Sequence, residues 1–489
     1  MRAACLFRGG PIPAWILRAF LESRKIAGLE LIPVLTAGEY TRPKDSLAER
    51  LDKRWFGTGD DPTDLILLPA DITYKKAEDV KWDEYDLLIN FTLKETPAST
   101  EQFPSGLFEY RFVEETNFIR TMVCVCRGEE TENIVEQKTY CGELSSTQNR
   151  AQVYWKASYL LSSALPGVIE QREISPLEAV CLSKAQYLPT LDAFRASKGL
   201  LEILKKKMAL RSREGIWSIR LYEGKIPLSQ IGSSSYIEMP QPDGLFRADP
   251  FFFSHQGEDW LFYEELRLDS WKGYLCAAKI ENGGFADPVK VLEEPWHLSY
   301  PFVFSHDGEI YLIPESSSTK TIELYKCERF PDKWIKVRSL LEGMHFADTT
   351  LVQHDELWWM FTCAAHSNDY FNRDELYLYY ADDPVEGTWH PHQMNPVVCD
   401  NSLARPAGRV VEENGVLWRP SQDNSLRYGR GLNWNRILQI DRECYREELA
   451  EHLVFDESTG IMGAHTINQS ERWTVIDLQR NVPKNGNMT

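Results

Sequence analysis

The chain has 489 residues, 43% of them hydrophobic and 12% aromatic, enough for two or three packed domains. Its formal charge of -19 excludes a broad basic face for nucleic-acid phosphates or an anionic membrane, so no DNA partner is expected. No apolar run reaches the length of a transmembrane span, and Arg8-Gly9-Gly10 breaks the N-terminus before a signal-peptide core forms. With ten dispersed cysteines, this gives the expectation of a reduced, cytoplasmic protein.

Arg2 to Phe7 reads as a strand, Pro13 to Lys25 as a helix and Leu29 to Leu35 as a second strand, a βαβ opening that predicts a parallel α/β layer. Gly9-Gly10 reads as a tight turn, because neither GxGxxG nor GK[ST] follows. Residues 40–64 are polar and read as a surface excursion. Tyr85 to Phe91 is a buried strand, and Gly106 to Phe112 and Thr121 to Arg127 form an antiparallel pair. A helix is predicted over Ser145 to Ala164, capped by Ser146 or Thr147. Cys124 and Cys126 read as buried strand cysteines, since no partner pair of metal-site spacing accompanies them.

The order Asp86-to-Phe91, Phe103-to-Phe112, Thr121-to-Tyr140 and then the Tyr154-to-Leu165 helix resembles the catalytic domain of formyltransferases, over residues 1–170. That family uses an Asn, a His and an Asp to move a formyl group from a folate carrier. The window Gly106 to Arg111, where the resemblance implies the His, holds none, and the first histidine of the chain is His255. The resemblance therefore implies a retained scaffold, or a domain that binds another small molecule.

Residues 171–213 read as a helical connector. Phe194 to Arg213, with Lys205, Lys206 and Lys207, is a basic amphipathic helix in an acidic chain. A solvated interdomain helix accounts for it; weak contact with RNA or a membrane surface is the alternative.

From residue 214 to 489 the chain repeats itself. Phe246 to Glu265, Ser299 to Glu315, Phe346 to Thr362, Leu403 to Gln422 and Met462 to Asp477 each carry an apolar run entered through a polar residue, then a turn and a second strand. Aligned on Asp249, Tyr300, Asp348, Arg405 and His465, the steps are 51, 48, 57 and 60 residues. A hairpin in every unit of about 50 residues predicts a five-bladed β-propeller, because one unit cannot bury both faces of its sheet alone. The strand Gly215 to Tyr222 is placed to close the ring. The five anchors enter the innermost strands, so they are expected to converge at one mouth.

Ala248-Asp249-Pro250, followed by Trp260-Leu261-Phe262-Tyr263, resembles propellers of glycoside hydrolase family 43. Arg247 to Phe251, Tyr300 to Phe304 and Phe346 to Val352 are similar, in this order, to the N-terminal region of plant glucosamine inositolphosphorylceramide transferases. The hydrolase resemblance implies Asp249 as general base and Asp348 as the second aspartate. Where it implies an acidic Glu, this chain has Ala404-Arg405-Pro406-Ala407-Gly408, and an arginine does not release a proton near neutrality. Glu315 is the candidate replacement, which makes the catalytic set Asp249, Asp348 and Glu315. Arg247, His366, Asp369, Arg405, Arg419, Gln422 and His465 are candidate substrate-binding residues, suited to sugar hydroxyls, carboxylate or phosphate. Trp271, Trp296 and Trp389 read first as core, with stacking on sugar rings as the alternative. No motif names a cofactor or a metal.

The expected fold is thus an α/β formyltransferase-like domain followed by an all-β five-bladed propeller. The expected function is a carbohydrate-active or group-transfer enzyme acting on a small-molecule or glycan substrate at the propeller's mouth. One alternative is a non-catalytic propeller that binds a glycan or protein. Another is a transferase or peptide-forming enzyme of specialised metabolism that draws on a carrier such as aminoacyl-tRNA.

Overall fold

The computed structural model describes residues 1–40, 50, 52–54, 61–94, 102–115, 118–127, 130–140, 145–169, 186, 189, 213–281, 283–365 and 375–483. The basic stretch 194–212 and the loop residues His366 and Asp369 lie outside the described residues. The chain divides into two compact units, Met1–Gly199 and Leu200–Thr489. Among the described residues, no helix is long and apolar enough to cross a membrane.

In the first unit Arg2–Gly9, the helix Ala14–Ser23 and Glu30–Glu39 form the βαβ opening, with the two strands parallel. The sheet has seven strands. Lys75–Lys76, Glu30–Glu39, Arg2–Gly9, Leu87–Asn90 and Leu107–Glu114 run parallel, and Phe118–Arg127 and Glu130–Tyr140 continue it antiparallel. The layer is mixed rather than purely parallel because Phe118–Arg127 pairs antiparallel with both Leu107–Glu114 and Glu130–Tyr140. The long helix is Ser146–Ile169. Its N-terminal cap is Ser145, whose Oγ accepts from the Gln148 N–H at 3.1 Å, rather than Ser146 or Thr147. The excursion over residues 40–64 is not wholly on the surface. Tyr40 is buried with its hydroxyl donating to the Phe91 carbonyl, and buried Asp61 pairs with Lys53 at 3.0 Å.

Among the described residues, the second unit holds five antiparallel sheets. Blade one is built on Leu245–His255, Glu258–Arg267 and Lys272–Glu281, and blade two on Ser299–His306, Glu309–Glu315, Thr321–Arg329 and Lys333–Glu342. Blade three uses His345–His354, Leu357–Ala365 and Glu375–Ala381, and blade four Val411–Glu413, Val416–Asp423, Gly431–Ile440 and Tyr445–Val454. The fifth blade is made from both ends of the unit. Arg213–Glu223 pairs along its whole length with Trp473–Pro483, so the strand before the first repeat completes the last one.

The cores lie between blades, as stacked repeats require. Ile219, Leu221 and Val475 of blade five pack with Leu261 and Tyr263 of blade one. Phe262, Phe302 and Met360 belong to one core spanning blades one to three. Trp359 and Leu378 meet Leu417 and Ile437 between blades three and four, and Leu432 and Trp434 meet Tyr222 and Ile476 between blades four and five. Every blade thus packs on its two neighbours, and the ring is closed.

Candidate functional site

Three of the anchors share one backbone device. Asp249, Tyr300 and Asp348 have positive φ of 52°, 46° and 54°. At each, the pairing register jumps, between Ala248 and Phe251, between Ser299 and Phe302, and between Ala347 and Thr350. A left-handed conformation is unfavourable for these residues, and strain of this kind costs about 1–3 kcal/mol per residue. The bulge breaks the strand's alternation and re-aims the anchor side chain. Pro250 and Pro301 follow two of the anchors, positions where the missing N–H leaves no gap in the ladder. All three anchors are buried, at 6%, 0% and 2% exposure.

Asp249 joins blades five, one and two. Its Oδ1 accepts from Thr466 Oγ1 at 2.7 Å, its Oδ2 accepts from the Tyr300 N–H at 3.2 Å, and its own N–H donates to Asp477 Oδ2 at 3.0 Å. His465 Nδ1 lies 2.5 Å from Asp477 Oδ2 and 3.6 Å from Asp249 Oδ1. The His465 ring stacks on Trp217 at 3.8 Å and meets Tyr428 edge-on at 5.5 Å. The donor atoms of Asp249, His465 and Asp477 fall within 4.8 Å of one another, a spacing that suits a cation, although each carboxylate already accepts protein hydrogen bonds.

Asp348 joins blades two, three and four. Arg405 Nε donates to its Oδ2 at 2.5 Å and Arg405 Nη2 to its Oδ1 at 3.3 Å. Gln422 Nε2 donates to the same Oδ2 at 2.7 Å, and the Asp348 N–H donates to Glu315 Oε2 at 3.2 Å. Arg405 Nη2 stands 3.5 Å from Glu315 Oε2, and the guanidinium lies over the Tyr428 ring at 5.3 Å. Tyr428 therefore touches both halves of the site.

The segment Ala404 to Gly408 is fixed from three sides. Buried Arg419 donates to the Leu403 and Ala404 carbonyls and holds Glu447 through two bonds of 2.8 and 2.6 Å. The Gly408 N–H donates to Tyr300 Oη at 2.6 Å. Gly408 has φ of +139°, and a Cβ there would meet the Ile467 carbonyl oxygen at 2.0 Å, so blade five closes down on a residue that must be glycine.

Asp249, Glu264, Glu315, Asp348 and Asp477 act on one another electrostatically, against Arg405 and His465 as neighbouring cations. Burial is the main cause that pushes the Asp249 carboxyl up to about 6, with Asp348 and Asp477 adding and His465 opposing. Burial, then Asp348, drives Glu315 well above the ordinary carboxylate range although Arg405 pulls it down. Glu264 is raised well above that range too, by burial and then Asp249. Burial alone would lower His465; the carboxylates of Asp477 and Asp249 outweigh it and raise its pKa. The centre can thus hold protonated carboxyl groups beside an ionised one, the distribution that general acid and base work requires.

Of the residues singled out in the sequence, Asp249, Asp348, Glu315, Arg405, Gln422 and His465 come together here. Arg247 does not: it pairs with Glu265 at 2.8 Å and donates to the Pro240 carbonyl within blade one. Arg419 is spent on Glu447 and the backbone before Arg405. The sequence reading passed over Asp477, Glu264, Thr466, Trp217 and Tyr428. Glu264 had a signal, because Phe251 pairs Phe262 and Phe302 pairs Ile313, which puts Glu264 and Glu315 at the same place in consecutive blades.

Residues 227–481, just over half the chain, match the family described as glucosamine inositolphosphorylceramide transferase 1, N-terminal. The chain is 33% identical over 259 residues to glucosamine inositolphosphorylceramide transferase 1 of Oryza sativa subsp. japonica, covering 48% of this chain and 34% of that protein. It is 31% identical over 260 residues to the Arabidopsis thaliana protein of that name, with the same 48% and 34% coverage. The chain thus spans about a third of the length of these relatives. Among solved structures, the catalytic domain of a Coprinopsis cinerea GH62 α-L-arabinofuranosidase aligns at 13% identity and a TM-score of 0.37, over 54% of this chain and 97% of that one. The family match does not reach the N-terminal unit, whose formyltransferase resemblance rests on the order of its sequence elements alone. Through its propeller, the chain belongs to the family of the N-terminal region of glucosamine inositolphosphorylceramide transferase 1.

Proposed function

We propose that the propeller centre is a carbohydrate-active site that cleaves or transfers a glycosyl group. The observation that carries this reading is the buried cluster in which five carboxyl groups from blades one, two, three and five meet Arg405 and His465. Asp249 is the general base: its carboxyl, raised only to about 6, is mostly ionised at neutral pH and ready to take a proton from a hydroxyl. Asp348 and Arg405 hold substrate hydroxyls or a charged group beside it. The name of these relatives supports a glycan- or sphingolipid-related substrate. The N-terminal unit serves as a formyltransferase-like scaffold in this reading.

The test is a melting screen of wild type against Asp249→Asn with sugars, nucleotide sugars, inositol phosphates and folates. A ligand at a hundred times its Kd should add about 2.7 kcal/mol of stability. A sugar-dependent shift that vanishes in Asp249→Asn is expected. A shift that the variant keeps, or one produced by folates alone, would remove the propeller centre from consideration.

A second reading, glycan recognition without chemistry, draws on a separate cavity of ≈ 250 Å³ lined by Trp418 and Trp434 together with Glu451 and Gln469. Under that reading Trp418→Ala, and not Asp249→Asn, abolishes the sugar shift.

A further inference from the structure

Breaking a glycosidic bond needs a group that protonates the departing oxygen as well as a base. Arg405 occupies the place where the hydrolase resemblance implies that acid, and a guanidinium keeps its protons. Two carboxyl groups are positioned to substitute, Glu264 and Glu315, equivalent by register in blades one and two. Their surroundings differ. Glu315 Oε2 is already engaged, accepting from the Asp348 N–H and facing Arg405 Nη2, even though burial and Asp348 hold its pKa high. Glu264 is 5% exposed, and its Oε1 is buried without a hydrogen-bond partner among the described residues.

A buried polar group left unpaired is uncommon and calls for an explanation. The fold makes room for this one. Gly273 lies beside it, and a Cβ there would sit 2.4 Å from Glu264 Oε1, 2.6 Å from the Leu298 carbonyl and 2.8 Å from His297 Cε1. The Gly273 N–H donates to His297 Nδ1 at 3.0 Å, which leaves the proton of the neutral imidazole on Nε2. That Nε2 stands 3.2 Å from Oε1, off the line of a hydrogen bond. With Oε1 facing an N–H, the acid's own proton belongs on Oε2.

We propose that Glu264 is the proton donor of the propeller centre, protonating the oxygen of the glycosidic bond that breaks while Asp249 deprotonates the attacking hydroxyl. The inference rests on the carbohydrate reading above. The bond from the anomeric carbon to the leaving oxygen breaks, its electron pair stays on that oxygen, and the oxygen takes the Glu264 proton. A new bond forms from the anomeric carbon to water or an acceptor hydroxyl, whose proton passes to Asp249. One proton has moved from Glu264 to Asp249, and exchange with solvent returns it.

Two measurements on Glu264→Gln, an isosteric change expected to melt with wild type, test this. The infrared difference between wild type and variant at neutral pH should contain a carboxylic-acid C=O band belonging to Glu264. Phenyl and dinitrophenyl glycosides of glucosamine, galactose and arabinose supply the second readout. Glu264→Gln should lose ~10²–10⁴-fold on the phenyl substrate that wild type uses, the span of general acid catalysis. It should lose little on the dinitrophenyl one, which departs without a proton, whereas Asp249→Asn should lose on both. A missing infrared band, or full phenyl-glycoside activity in Glu264→Gln when Asp249→Asn is inactive, overturns the assignment of Glu264 and leaves the carbohydrate reading standing. Equal activity of wild type and Asp249→Asn, or none in wild type, overturns the carbohydrate reading and the inference with it.

Discussion

Arg405 and Asp348, 57 residues apart and on different blades, form a two-point ion pair with both side chains buried. A buried pair is weak evidence for stability in itself, because desolvation offsets the attraction, but removing one partner strands the other. Arg405→Ala should therefore cost about 3–5 kcal/mol. Asp348→Asn combined with Arg405→Ala should cost less than the sum of the single changes, as read by urea unfolding. Strict additivity would mean that the pair is not coupled in solution.

Tyr300 links blades two and four through one hydroxyl, which accepts from the Gly408 N–H at 2.6 Å. Tyr300→Phe leaves that buried N–H without a partner and should destabilise by about 1–3 kcal/mol. A change within about 0.5 kcal/mol, the range of ordinary surface substitutions, would show that water replaces the hydroxyl.

Gly408→Ala should be worse. Overpacking costs about 1–3 kcal/mol and backbone strain about the same again, and here the new Cβ meets the Ile467 carbonyl at 2.0 Å in a backbone with φ of +139°. Loss of the cooperative transition, or of soluble protein, is the expected result. A variant as stable as wild type would contradict the contact between blades four and five.

The pH dependence of stability follows from the raised carboxyl groups. Asp249, Glu264 and Glu315 have higher pKa values folded than unfolded, so in that interval the native state holds more protons than the unfolded chain. Linkage then makes stability fall as pH rises. For Asp249 the loss runs from about 4, the unfolded carboxylate value, to about 6. His465 acts in the same sense: its raised folded pKa contributes stability that is full below the unfolded value and is lost as pH rises past the folded one. Asp249→Asn should flatten the decline between about pH 4 and 6, measured by chemical unfolding at several pH values. An unchanged slope would assign the decline to other groups.

Much of the propeller was legible in the chain. The repeat of about 50 residues, the apolar hairpins and the closing strand around Ile219 all follow local patterns, and the structure keeps them. The anchors were legible for the same reason, since each sits at the same point of its own repeat. Arg247 and Arg419 read as site residues because a charged side chain beside an anchor looks available. In the folded protein Glu265 and Glu447 hold them. Glu264 and Glu265 make the point most sharply: neighbours on one strand face opposite sides of the sheet, so Glu265 serves the blade and Glu264 the centre.

The sequence by itself determined the number of blades, their order and the anchor at the start of each repeat, because hydrophobic periodicity and turn chemistry act over a few residues at a time. Only the tertiary structure decided which polar groups share the buried centre. That depends on left-handed bulges at Asp249, Tyr300 and Asp348, and on long-range contacts such as the Asp249 N–H to Asp477, 228 residues apart. Protonation in such a centre is set by the low dielectric and by the summed field of every neighbour, and both exist only once the ring has closed.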